Sequence, residues 1–114
     1  MTFDEYAEQA IVTDKYGGGV QKVDSHAFMA SLLGIGGEAG EITEKVKKIY
    51  WHKDGIETAE DREELVKELG DLLWYTNTLA VYLGVSLDEV ARRNIEKLQS
   101  RDTRGVLAGN GDNR

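Results

Sequence analysis

Apolar residues recur along this chain in four stretches that step by three and four, and nowhere do they alternate with period two. That is the pattern of amphipathic helices rather than strands. The first stretch predicts a helix from about Phe3 to Tyr16. Phe3, Tyr6, Ala7, Ala10 and Ile11 share one face, Thr2 and Glu5 form a capping box, and Gly17-Gly18-Gly19 stops it. The second predicts a helix from Asp24 or Ser25 to about Tyr50, with a seam of Phe28, Leu32, Ile35, Ala39, Ile42, Val46 and Ile49. A polar turn over 51–57 contains Asp54-Gly55. The third helix starts after Thr58, carries Leu65, Leu69, Leu72, Thr76, Leu79 and Leu83, and ends at Gly84. The fourth opens with the capping box Ser86/Glu89 and carries Leu87, Val90, Ala91, Ile95 and Leu98. The expectation is an all-α bundle of four main helices, one domain over 1–101, followed by a Gly/Asn-rich tail over 102–114.

Composition narrows the function classes. A chain of 114 residues is one domain in length. It has no cysteine, so disulfides, thiolate metal sites and a cysteine nucleophile are excluded. With 14 Lys+Arg against 21 Asp+Glu the formal net charge is −7, which argues against a duplex nucleic-acid partner. No apolar run approaches the roughly 20 residues that cross a bilayer, so no membrane partner is expected. Met1-Thr2-Phe3-Asp4-Glu5 lacks the features of a signal peptide, and a cytoplasmic location is expected.

The acids are not placed evenly. Glu38 and Glu41 are three apart on the second helix, and Glu68 and Asp71 are three apart on the third. Residues at that spacing share a helix face. Each also stands one position before a seam residue: Ala39, Ile42, Leu69 and Leu72. If the two helices pack antiparallel, the four carboxylates converge from both sides of the seam. Such an all-oxygen set suits Mg²⁺ or Mn²⁺ rather than iron or zinc. Pairs such as Glu5/Glu8, Glu41/Glu44 and Glu60/Glu63 read instead as solvated faces.

Glycine and cations surround this cluster. Gly34, Gly36, Gly37 and Gly40 flank the first acidic pair and Gly70 lies inside the second. Each costs about 0.5–1 kcal/mol relative to Ala in a helix interior. Close helix–helix contact and room for a ligand both account for them, and Gly34 to Gly37 also allow a local break. Asn94, Lys97 and Arg101 step three and four along the fourth helix beside the seam residues Ile95 and Leu98, and a cationic stripe next to a metal-binding acidic cluster is what a polyphosphate needs. Lys45 and Lys48 extend the Glu38–Glu41 stripe and read better as solvated side chains or i,i+4 pairs such as Glu41–Lys45.

Taken in order, Gly37-Glu38-Ala39-Gly40-Glu41, Glu68-Leu69-Gly70-Asp71 and Asn94-x-x-Lys97-Leu98-x-x-Arg101 resemble the MazG-like all-α nucleoside triphosphate pyrophosphohydrolases over roughly residues 25–101. One departure is that Gly37 stands where the family's first motif has a glutamate. The resemblance implies Mg²⁺-dependent hydrolysis of a (d)NTP to the (d)NMP and pyrophosphate. Glu38, Glu41, Glu68 and Asp71 would hold the metal, with Glu38 or Glu41 as general base. Asn94, Lys97 and Arg101 would hold the substrate's phosphates. It also implies a homodimer or homotetramer, with sites built partly by the neighbouring chain.

Aromatic candidates for the base are Trp74, Tyr75, Trp51, Tyr50 and Tyr16, of which Trp74 and Tyr75 read first as core or interface. His26 and His52 read as a helix-start and a loop residue. The alternatives are a phosphoribosyl-ATP pyrophosphohydrolase-like enzyme and a non-enzymatic helical interaction module. A di-iron bundle is disfavoured because its Glu-x-x-His motifs are missing.

Overall fold

Four helices carry the regular structure in a computed structural model that describes residues 1–114: α1 (Phe3–Ile11), α2 (His26–His52), α3 (Ala59–Tyr82) and α4 (Leu87–Thr103). They form an all-α four-helix bundle. Each begins on a hydroxyl cap, from Thr2, Ser25, Thr58 and Ser86, whose side chain accepts the N–H three residues on. Thr2/Glu5 and Thr58/Asp61 complete reciprocal capping boxes. Both α3 and α4 end in a left-handed glycine, Gly84 at φ 77° and Gly105 at φ 69°. There Val85 N–H bonds back to Ala80 O, and Val106 N–H to Arg101 O, which satisfies carbonyls the helix end leaves open.

Several boundaries differ from the pattern-based expectation. α1 stops at Ile11 rather than Tyr16, because its apolar stripe ends there and the next polar residues have other partners. The Thr13 hydroxyl donates to Ala10 O at 2.7 Å, while Asp14 accepts from the Tyr82 hydroxyl at 2.6 Å and from Tyr16 N–H at 2.9 Å. α2 runs to His52, so Trp51 and His52 are helical. It also passes through Gly34 to Gly37 without a break. α4 runs two residues past Arg101.

α2 and α3 form the main pair and run antiparallel, with Phe28 beside Tyr82 at one end and Lys45 opposite Glu64 and Glu68 at the other. α1 packs on α3, where the Trp74 indole donates to Ala10 O at 3.3 Å and, just past the end of α1, to Thr13 Oγ1 at 2.7 Å. The Tyr82 ring is fully buried among Ala27, Phe28 and Leu79. Burial and the hydrogen bond to Asp14 push its hydroxyl up to about 12. α4 packs on α1 and α3 and does not touch α2.

The single chain is an open arrangement. Its radius of gyration is 16.9 Å, against about 13 Å for a compact chain of this length. Only 11 of 114 residues are buried, while Leu32, Val46, Val66, Leu69 and Ile95 stay exposed. No helix is long and apolar enough to cross a membrane.

Candidate metal and phosphate site

Antiparallel packing of α2 on α3 sets the register of the acids. Gly34 faces Tyr75 and Lys45 faces Glu68, so Glu38 and Glu41 fall opposite the Glu68 turn. Carboxylate oxygens of Glu38, Glu41 and Glu68 lie within 4.8 Å of one another. Glu68 is the most enclosed, 8% exposed, while Glu38 is half-buried and Glu41 open to solvent. Burial first, then the charges of Asp71, Glu41 and Glu68, push the Glu38 carboxyl above its ordinary value. Asp71 is one turn past Glu68 and outside the close triad, yet its charge bears on Glu38, Tyr6 and Tyr75.

The two explanations for the glycines divide by position. A Cβ at Gly34 would fall 2.3 Å from Tyr75 Cε1, so that glycine serves close helix contact. At Gly36, Gly37, Gly40 and Gly70 a Cβ would meet nothing within 4 Å. These four border open space and leave the approach to the carboxylates clear.

Lys45 differs from the expected i,i+4 partner of Glu41. Its ammonium reaches across to α3, 3.1 Å from Glu68 Oε1 and 3.4 Å from Glu64 Oε2. The helix interface brings those carboxylates within reach, and no spacing within α2 alone could reveal it. The position of Lys45 on the Glu38–Glu41 stripe, one turn past Glu41, was the available signal. Lys48 makes no ion pair and, with Lys45, Lys53, Asp61 and Glu64, lines a neighbouring cavity of about 160 Å³.

Lys97 and Arg101 come together on α4, but at the chain's own tail. Arg101 is 5% exposed and donates to Asp112 O at 2.6 Å and Asp112 Oδ1 at 3.3 Å. Lys97 donates to the same Oδ1 at 3.3 Å. These two cations hold the Asp112 carboxyl below its usual range. Asn94 is exposed and lines an open depression of about 310 Å³ with Val90, Arg93 and Lys97. α4, which carries Asn94, Lys97 and Arg101, packs on α3, the helix of Glu68, but does not touch α2, the helix of Glu38 and Glu41.

Among the aromatic candidates, Trp74 is tied to α1 and Tyr75 lies under Gly34, with its hydroxyl pushed up by burial and by Glu38. Tyr50 and Trp51 stack edge-on at 5.2 Å and stay exposed. His26 is the first residue of α2 and His52 its last, so His52 is helical rather than in a loop. Neither belongs to the acidic group.

The donor set fits a hard divalent cation. It consists of carboxylate oxygens alone, convergent from two helices, with open space beside them for the waters that Mg²⁺ keeps. The triad can therefore coordinate a divalent metal.

Comparison with known proteins agrees with this chemistry. The chain is 56% identical over 82 residues to the Gene 37 protein of Mycobacterium phage L5, a stretch covering 72% of each. It is 35% identical over 69 residues to the YvdC protein of Bacillus subtilis (strain 168), covering 56% of this chain and 65% of that one. No solved structure matches. Residues 26–106 match the MazG nucleotide pyrophosphohydrolase domain, a span that holds the whole acidic triad and the α4 cations. The chain therefore belongs to the MazG family, and its activity is of the pyrophosphohydrolase type on nucleotide-like substrates.

Proposed function

We propose that this protein hydrolyses a nucleoside or deoxynucleoside triphosphate to the monophosphate and pyrophosphate in a Mg²⁺-dependent reaction, with Mn²⁺ as a substitute. The observation that carries this reading is the convergence of Glu38, Glu41 and Glu68 within 4.8 Å in a chain of this family. Glu38, Glu41, Glu68 and the adjacent Asp71 hold the divalent ion. Bound there, the ion supplies charge neutralisation on phosphate oxygens and lowers the pKa of a water. Glu38 or Glu41 takes the proton from the attacking water. The water oxygen bonds to the α-phosphorus in line as the bond to the bridging oxygen breaks, and pyrophosphate leaves with that electron pair.

Asn94, Lys97 and Arg101 bind the β- and γ-phosphates. In this reading a neighbouring copy in a homodimer or homotetramer brings these groups to the triad; the lack of contact between α4 and α2, which carries Glu38 and Glu41, supports it. The exposed apolar residues of α2, α3 and α4 support that assembly. We read residues 1–101 as the helical domain and 102–114 as a tail, which completes α4 to Thr103 and folds back on Arg101 through Val106, Gly111 and Asp112.

The test is pyrophosphate release from all eight common NTPs and dNTPs and from phosphoribosyl-ATP, with Mg²⁺ and with chelator, for wild type and Glu68→Gln. Release from at least one free triphosphate, lost with chelator and in Glu68→Gln, supports the assignment. No release from any of them, or an equally fast mutant, overturns it; phosphoribosyl-ATP as sole substrate would move the specificity.

A further inference from the structure

Lys45 has no role in the reaction just described, yet it is in direct contact with the acidic triad. Its ammonium is 3.1 Å from Glu68 Oε1, with 32% of the Lys45 side chain and 11% of the Glu68 side chain exposed. A pair so enclosed is screened less than one at the open surface. The same ammonium is 3.4 Å from Glu64 Oε2, and Glu64 is itself held by Lys67 through Oε1 at 2.6 Å. Lys45 thus stands between a triad carboxylate and a second carboxylate that is fixed in place and lies outside the triad.

Two physical consequences follow. The ammonium offsets part of the repulsion among Glu38, Glu41 and Glu68, and so helps keep three carboxylates close. It also draws on the negative charge that a divalent cation would use, and a cation on Glu68 would repel it. Glu64 offers the displaced ammonium a partner without unfolding or long movement.

We propose that Lys45 is a positioning residue of the metal centre: its ammonium and the divalent ion compete for Glu68, and Glu64 receives the ammonium when the ion binds. This rests on the reading of Glu38, Glu41 and Glu68 as metal ligands. The competition makes metal affinity depend on a residue that is not a ligand, and on a carboxylate, Glu64, that is not one either.

The experiment is titration of the full chain with Mn²⁺, with free Mn²⁺ read by electron paramagnetic resonance, for wild type, Lys45→Met, Glu64→Gln, Lys48→Met and the double variant Lys45→Met/Glu64→Gln. Lys45→Met is expected to bind Mn²⁺ roughly tenfold tighter, and Glu64→Gln several-fold weaker than wild type. Lys48→Met, which removes an equal charge without a contact to the triad, should stay within about twofold of wild type. In the Lys45→Met background Glu64→Gln should lose its effect, because the coupling runs through the ammonium. Circular dichroism in chelator checks that each variant is folded. Unchanged or weaker binding by Lys45→Met overturns the proposal, as does an equal gain from Lys48→Met. If wild type binds no Mn²⁺, the metal-site reading fails and takes this inference with it, a result distinct from either of those.

Discussion

Gly34 and Tyr75 occupy the same space across the α2–α3 interface: the tyrosine ring lies where a side chain at position 34 would begin, 2.3 Å from its Cβ. Ring atoms cannot yield as a flexible chain end can, so any larger residue must push the helices apart there. Gly34→Ala is expected to destabilise the protein by about 1–3 kcal/mol despite its better helix propensity. Gly36→Ala and Gly70→Ala, which meet open space, should stabilise it by about 0.5–1 kcal/mol. Urea midpoints for the three variants check the contrast. Equal effects at all three positions would remove the steric account.

The carboxylate of Asp112 occupies Lys97 and Arg101, the groups assigned here to the substrate's phosphates. Substrate must then displace it. Asp112→Asn is expected to lower KM for the preferred triphosphate by roughly two- to fivefold, the range of an exposed ion pair, with kcat unchanged. An unchanged or higher KM would mean that Asp112 does not compete.

Acid should act through the α3 cap. The Lys53 ammonium and the Thr58 backbone hold Asp61 at about 2, below its ordinary 3.8. A depressed carboxyl adds stability above its unfolded value and loses it as pH falls through the folded one. Wild type should therefore lose thermal stability between about pH 4 and about pH 2 faster than Asp61→Asn. Melting temperatures from pH 2 to 6 report it, and parallel curves would show that the cap does not contribute.

Alkali should act through the core. Tyr82 is raised from 10.0 to about 12 by burial and by Asp14. A raised group contributes stability below its unfolded value and loses it as pH rises through the folded one. Above about pH 10 wild type should therefore lose stability that Tyr82→Phe never had, so the two curves converge. A constant gap between them up to pH 12 would contradict this.

The exposed apolar residues predict assembly. Leu69 is 54% and Val66 63% exposed on α3, in a chain whose mass is 12.7 kDa. Light scattering is expected to give at least twice that mass. Leu69→Lys should lower it and also lower activity, since the α4 cations then lose their route to the triad. Full activity from a monomer would refute the shared site.

Much of the fold is legible along the chain because it is local. Capping hydroxyls, three-and-four apolar steps and terminal glycines each act within a few residues, and the four helices follow from them. α1 shows the limit. Its end depends on Asp14 meeting Tyr82, 68 residues away. The same division holds at the site. The i,i+3 spacing of Glu38 with Glu41, and of Glu68 with Asp71, determined by itself that each pair shares a helix face. Which oxygens converge depended on the α2–α3 register, set in part by the Tyr75 ring at Gly34. That register brought Glu68 to Glu38 and Glu41 and left Asp71 one turn aside. It also turned Lys45 from its helix neighbour to Glu64 and Glu68, and the tail gave Asp112 to Lys97 and Arg101. Helical periodicity specifies direction about one axis; only packing two axes together specifies distance.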